Sequence, residues 1–105
     1  VPLDATTLTV AGWTFQEAQP GGGADRQLLL VYDIDPAANL QGQRSPVLRV
    51  LGERSDAKAW QRRVETLDAR PWRGRALWVY ASVANDGFGG RAWMMLDDVD
   101  AVFCR

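Results

Sequence analysis

Histidine is absent from the 105 residues, and cysteine and lysine occur once each, as Cys104 and Lys58. Without histidine the chain lacks the commonest general base near neutral pH, every Ser-His or Cys-His nucleophile pair and the usual nitrogen ligand of zinc. Most hydrolase designs are excluded on that ground. One thiol makes no disulfide inside this segment, so the expectation for Cys104 is a small, partly buried residue at a strand end, with pairing outside this segment as the alternative. Excess charge is also missing: 12 basic and 13 acidic side chains leave a net charge of -1. No Lys/Arg stretch lacks interspersed acids or aromatics, so a phosphate-binding surface is not indicated and nucleic acid is not an expected partner. Apolar runs such as Leu28 to Tyr32 fall far short of the roughly 20 residues that cross a bilayer as a helix. The sequence opens at Val1 with no Met and no charged-then-apolar leader, which fits a processed mature protein or a domain taken from a longer one.

What is present is a run of short segments rich in Val, Leu, Trp and Tyr, separated by Gly, Pro, Asn and Asp clusters. That pattern predicts strands joined by turns, and 105 residues with 47% hydrophobic content suffice for one core and one domain, 1-105. The predicted strands are Leu8 to Glu17, Arg26 to Ile34, Pro46 to Gly52, Ala59 to Leu67, Arg75 to Ala84 and Arg91 to Phe103. The breakers are Gln19 to Gly23, Asp35 to Asn39, Arg70 to Gly74 and Asn85 to Gly90. Trp60, Val64 and Leu67 also keep helical spacing, but the surrounding all-β pattern favours an edge strand there. In the fifth segment Leu77, Val79, Ala81 and Val83 share one face, read as core, and Trp78, Tyr80 and Ser82 share the other. Asn85-Asp86-Gly87 tolerates positive φ, so the fifth and sixth strands are expected to form an antiparallel hairpin.

Chemistry is sparse. Asp97, Asp98 and Asp100 invite a paired-carboxylate mechanism, but on a regular strand Asp97 and Asp98 point to opposite faces, and Asp98 and Asp100 share a face about 7 Å apart without a cleft. No catalytic residue is predicted. The same acids, with Asp4 or Glu17 and a loop carbonyl, suit calcium, although acids on a terminal strand also serve simply to keep it soluble and unpaired. Gly21-Gly22-Gly23 and Gly87-Phe88-Gly89-Gly90 lack the Lys-Ser/Thr of a phosphate loop and are read as turns. Five tryptophans exceed what a small core needs, and exposed aromatic planes stack on the apolar faces of sugar rings. Capping the ends of a thin sandwich would explain most of them singly. Trp72, on a Pro-Arg loop, and Trp78, on the second strand face, are the better ligand candidates, with Tyr80 beside Trp78.

As a set, the motifs from Gln27 to Asp33, Trp60 after an Arg-Ser-Asp turn, Leu67-Asp68, Trp72-Arg73-Gly74-Arg75, Asn85-Asp86-Gly87 and Trp93-Met94-Met95-Leu96-Asp97-Asp98-Val99 before Cys104 resemble a bacterial extracellular jelly-roll domain. That family is similar to carbohydrate-binding modules and galactose-binding-like domains, and the resemblance covers about residues 26-104. It implies an all-β, antiparallel jelly-roll sandwich that is secreted or held at the cell envelope. It further implies a structural calcium with Asp97 as a ligand, although the family's early Gly-Phe-Glu motif has no counterpart here. The short amino-terminal region suggests a first strand that is incomplete or completed from elsewhere. The resulting expectation is a non-catalytic module for glycan or cell-surface recognition, with Trp72, Trp78 and Tyr80 as stacking residues. The alternative is a structural protein-protein module of an envelope complex or filament, with the aromatic face and Cys104 against neighbours.

Overall fold

The computed structural model describes residues 1–21, 23–38 and 44–105; of the expected breaker residues, Gly22 and Asn39 lie outside them. The described chain is all-β, with six strands: β1 (Thr7–Ala18), β2 (Arg26–Tyr32), β3 (Leu48–Leu51), β4 (Trp60–Asp68), β5 (Trp78–Ala84) and β6 (Ala92–Cys104). Two short 3-10 turns, Pro36–Ala38 and Arg70–Trp72, interrupt the connections. Each strand falls where β-formers recur between breakers, and the Trp60 segment is a strand rather than a helix. No described helix is long and apolar enough to cross a membrane.

The strands form two antiparallel three-stranded sheets, sheet A in the order β4-β1-β6 and sheet B in the order β3-β2-β5. β1 and β2 are central, and their alternation is legible in burial. Leu8, Val10, Thr14, Gln16 and Ala18 of β1 are buried and point toward sheet B, as Gln27, Leu29 and Val31 of β2 point toward sheet A.

The space between the sheets divides into two halves. One is apolar: Ala5, Leu8, Val10, Val31 and Ala69 are buried together, flanked by Val47, Leu48, Leu67, Leu77 and Phe103. Truncating Leu8 to Ala there removes about 2–5 kcal/mol of stability. The other half is polar and hydrogen-bonded. Gln16 Nε2 donates to Gln27 Oε1 at 2.9 Å, and Gln16 Oε1 accepts from Thr14 Oγ1 at 3.2 Å and Arg63 Nη2 at 3.1 Å. Asp25, fully buried, accepts from the Asp86 N–H at 2.9 Å and lies 3.7 Å from the Arg54 guanidinium.

The expected hairpin between the fifth and sixth strands does not form: β5 pairs with β2 and β6 with β1, so the connection passes from one sheet to the other. Asn85 explains the turn. Its side chain donates to the Ala92 carbonyl at 3.2 Å and accepts from the Ala92 N–H at 2.7 Å, filling with one amide the bonds that a paired residue would make. Gly87-Phe88-Gly89-Gly90 bends outside any strand and Gly21 and Gly23 lie in turns, as expected, and Gly21 and Gly89 touch each other. Gly90 donates to the Pro20 carbonyl at 2.9 Å, and a Cβ on Gly90 would collide with the Gln19-Pro20 backbone.

Candidate functional site

The side of sheet A that faces away from sheet B is built from alternate residues of three strands. Residues directly opposite in an antiparallel pair share a face, so the register sets out its rows. Glu17 lies beside Trp93; Phe15 lies between Trp60 and Met95; Trp13 lies between Arg62 and Asp97; Ala11 lies between Val64 and Asp100; Thr9 lies between Thr66 and Val102. This outer face carries three of the five tryptophans, and each is substantially exposed: Trp13 39%, Trp60 46% and Trp93 40%. Met95, Val64 and Val102 are exposed with them. Phe15 and Trp60 meet edge to face at 5.8 Å, which fixes the Trp60 ring beside the centre of the sheet.

A bulge shapes the middle of the face. Between Ala11 and Trp13 the β1–β6 register shifts, so Asp98 and Val99 together oppose Gly12. Asp98 takes a left-handed φ of 48°, and its N–H is capped by Asp97 Oδ1 at 2.9 Å. Asp is among the few residues that enter this region readily. Gly12 is fitted to the bulge: a Cβ there would come within 3.2 Å of Val99 Cγ2. The bulge also revises the strand-face expectation. Asp97 and Asp100, rather than Asp98 and Asp100, share a face, because the extra residue between them resets the alternation.

Two depressions bracket the aromatic face. One, of about 280 Å³, is lined by Trp13, Trp60, Asp97 and Asp98. The other, of about 330 Å³, is lined by residues including Glu17, Asp56, Lys58 and Trp93. In the second, the Asp56 carboxyl is held below the usual carboxylate range, first by the Ala18 N–H that donates to it at 3.0 Å and then by Lys58. The combination of ring planes with Arg62, Asp97, Glu17, Asp56 and Lys58 offers stacking surface and both hydrogen-bond donors and acceptors.

The residues singled out from sequence are distributed differently. Trp78 and Tyr80 lie on the opposite, outer side of sheet B, where Tyr80 meets Tyr32 edge to face at 6.4 Å. Trp72 is on the 3-10 turn after β4, outside both sheets, and is half-buried, as is Trp78. Asp97 alone belongs to the sheet A face. Among the described residues no three His, Cys, Asp or Glu side chains converge as a metal group, and Asp4 is engaged with Arg105 at 3.3 Å. Calcium at Asp97 therefore carries no step of the functional argument. Cys104 is exposed rather than partly buried, because it falls on the outward side of β6, in the row of Thr7 and Asp68. Sequence reasoning missed Trp13, Trp60 and Trp93. The signal was the period-2 spacing of Trp13-Phe15-Glu17, Trp60-Arg62-Val64 and Trp93-Met95-Asp97, which reads as a second apolar face once these strands are known to be neighbours.

No protein-family model, curated protein or solved structure matches the chain.

Proposed function

We propose that the protein is a non-catalytic binding module, secreted or displayed at the cell surface, that recognises glycans through the outer face of sheet A. The observation that carries this reading is the grouping of Trp13, Trp60 and Trp93, all exposed, on one face with charged side chains interleaved among them. Aromatic planes take up the CH faces of pyranose rings, and Arg62, Asp97 and Glu17 reach the hydroxyls around the ring edge. An open, rowed face suits a chain of sugars more than one small molecule in a cleft. Two further points favour binding over chemistry: the chain has no histidine, and Asp97 and Asp100 lie along one open strand rather than across a cleft.

In this reading the two sheets form a sandwich of the jelly-roll kind. The nesting of the β2–β5 pair inside the β1–β6 pair supports that assignment, together with the sequence resemblance over residues 26-104. Trp78 and Tyr80 are then a secondary face.

Binding to a panel of soluble polysaccharides, followed by tryptophan fluorescence and affinity electrophoresis, tests the proposal. Trp13→Ala and Trp60→Ala are each expected to weaken binding about tenfold or more, with Trp72→Ala and Trp78→Ala close to the parent. Absence of binding to any glycan, or loss confined to Trp78→Ala, would sink this face as the site. Thermal melting with added calcium, in the parent and in Asp97→Ala, tests the family's metal separately: a rise in Tm lost in the variant would support it.

A further inference from the structure

A sheet that is not closed into a barrel has two edges, and each edge presents unpaired backbone groups to any other strand. Among the described residues the two sheets have four edges, and three of them are guarded. β4 carries Arg62, Arg63 and Glu65 along its length. β6 is bulged at Asp98 and carries Asp97 and Asp100 beside the bulge. β3 has only four residues, includes Arg49, and shifts register against β2. Short strands, charges and bulges are the usual means of keeping an edge from pairing.

β5 has none of them. Its seven residues, Trp78-Val79-Tyr80-Ala81-Ser82-Val83-Ala84, include no charge, and they pair with β2 without any register shift from Arg26↔Ala84 to Tyr32↔Trp78. Among the described residues its other side is paired with no strand. Its core-facing residues are also incompletely covered: Val79, opposite the buried Val31, is 38% exposed and Val83 is 39% exposed. Val99 of β6, against Gly12 on the inward side at the bulge, is 41% exposed. The apolar interior is thus open along the β5–β6 side.

We propose that this edge is a homodimer interface, in which β5 pairs antiparallel with β5 of a second copy about a two-fold axis at Ala81. A two-fold contact uses the same patch twice, so the patch must complement itself. About Ala81, Val79 falls opposite Val83 and Tyr80 opposite Ser82, with Trp78 opposite Ala84. Each outer-face row then sets a large ring against a small side chain, and the inner face continues as valine against valine with alanine on the axis. No like charges meet at any position. The guarded edges fail the same test, since self-pairing would set Arg62 and Arg63 of β4, or the three aspartates of β6, near their own copies. The product is a continuous six-stranded sheet β3-β2-β5-β5-β2-β3 that covers Val79 and Val83 of both chains.

Sedimentation equilibrium of the full chain over a wide concentration range reads the result directly. The expected species has twice the 11.6 kDa chain mass. Ala81→Lys and Ala81→Glu, which place like charges on the axis, are each expected to be monomeric, and an equimolar mixture of the two is expected to dimerise again. A parent chain that stays monomeric at every concentration would overturn the proposal. So would single variants that dimerise as the parent does, or a mixture that stays monomeric although circular dichroism shows both variants folded. Should both variants fail to fold, hydrogen exchange of the parent decides. Protection of amides in Trp78–Ala84 that increases with concentration is expected, and its absence counts against the dimer. None of these outcomes depends on the glycan reading, which concerns the other sheet.

Discussion

Gln27 ties the two sheets together with one side chain. Its Oε1 accepts from Gln16 Nε2 and, at 2.7 Å, from the Ser55 N–H; its Nε2 donates to the carbonyls of Glu17 at 3.1 Å and Trp93 at 2.6 Å. A buried group that loses its partner costs far more than a hydrogen bond contributes, so Gln27→Ala is expected to destabilise the protein by about 2–4 kcal/mol. Urea unfolding should show a lower midpoint with an unchanged slope. At the surface, Asp68 makes a fork with Arg70: Oδ1 accepts from Nε at 2.9 Å, Oδ2 accepts from Nη2 at 2.8 Å, and Oδ1 also takes the Arg70 N–H at 3.0 Å. These bonds, the side-chain ones foremost, lower its pKa from the usual 3.8 to about 2. A depressed carboxyl stabilises the fold fully above its unfolded value and loses that contribution as pH falls through the folded one. An NMR titration should therefore place the Asp68 midpoint at about 2, and Arg70→Ala should move it up toward the ordinary range.

Among the elements, β6 shows how one residue redirects a strand. The left-handed φ of Asp98 is one that glycine adopts without strain, so Asp98→Gly is expected to hold or raise stability by up to about 1 kcal/mol. Asp98→Val, which brings a β-branched side chain into the left-handed region, should lower it by about 1–2 kcal/mol; thermal melting of the pair checks both signs. The six strands were legible in the sequence because β-formers and breakers act locally, and even Trp60–Asp68, with its competing helical spacing, followed its neighbours. Partnership was not legible. Nothing in Asn85-Asp86-Gly87 says whether the chain turns back in its own sheet or crosses to the other, because the decision lies in Asn85 bonding Ala92 and Asp25 bonding the Asp86 N–H. The bulge was hidden for a related reason: alternation counted from Asp97 assumes a regular strand, and the displaced residue is visible only against Gly12. The candidate site shared that fate, since Trp13, Trp60 and Trp93 lie far apart in sequence and meet only through the pairing of β1 with both β4 and β6.

At the scale of the whole molecule, two three-stranded layers give a thin body. The Cα extents are 47 × 31 × 16 Å, and the radius of gyration of 14.9 Å exceeds the ~13 Å expected of a compact chain of this length. So flat a shape has more surface than its polar residues can cover, which accounts for aromatic side chains on the outer face of sheet A and for the open side along β5. The amino-terminal segment closes one end: the Thr6 N–H donates to the Cys104 carbonyl at 2.8 Å, the Ala69 N–H donates to the Thr6 carbonyl at 2.9 Å, and Arg73 reaches the Ala5 carbonyl at 2.6 Å.

That β1 pairs with β6 has a consequence for synthesis. Thr6 and Cys104, joined by a hydrogen bond, stand 98 residues apart in sequence, and β1 lies at the centre of sheet A. Within these six strands β1 thus waits for β6, with one flank unpaired and its tryptophan face open, until β6 has been made. With so much sequence between partners, folding belongs to the slow millisecond-to-second class. During that wait β1 is the segment most in need of a chaperone.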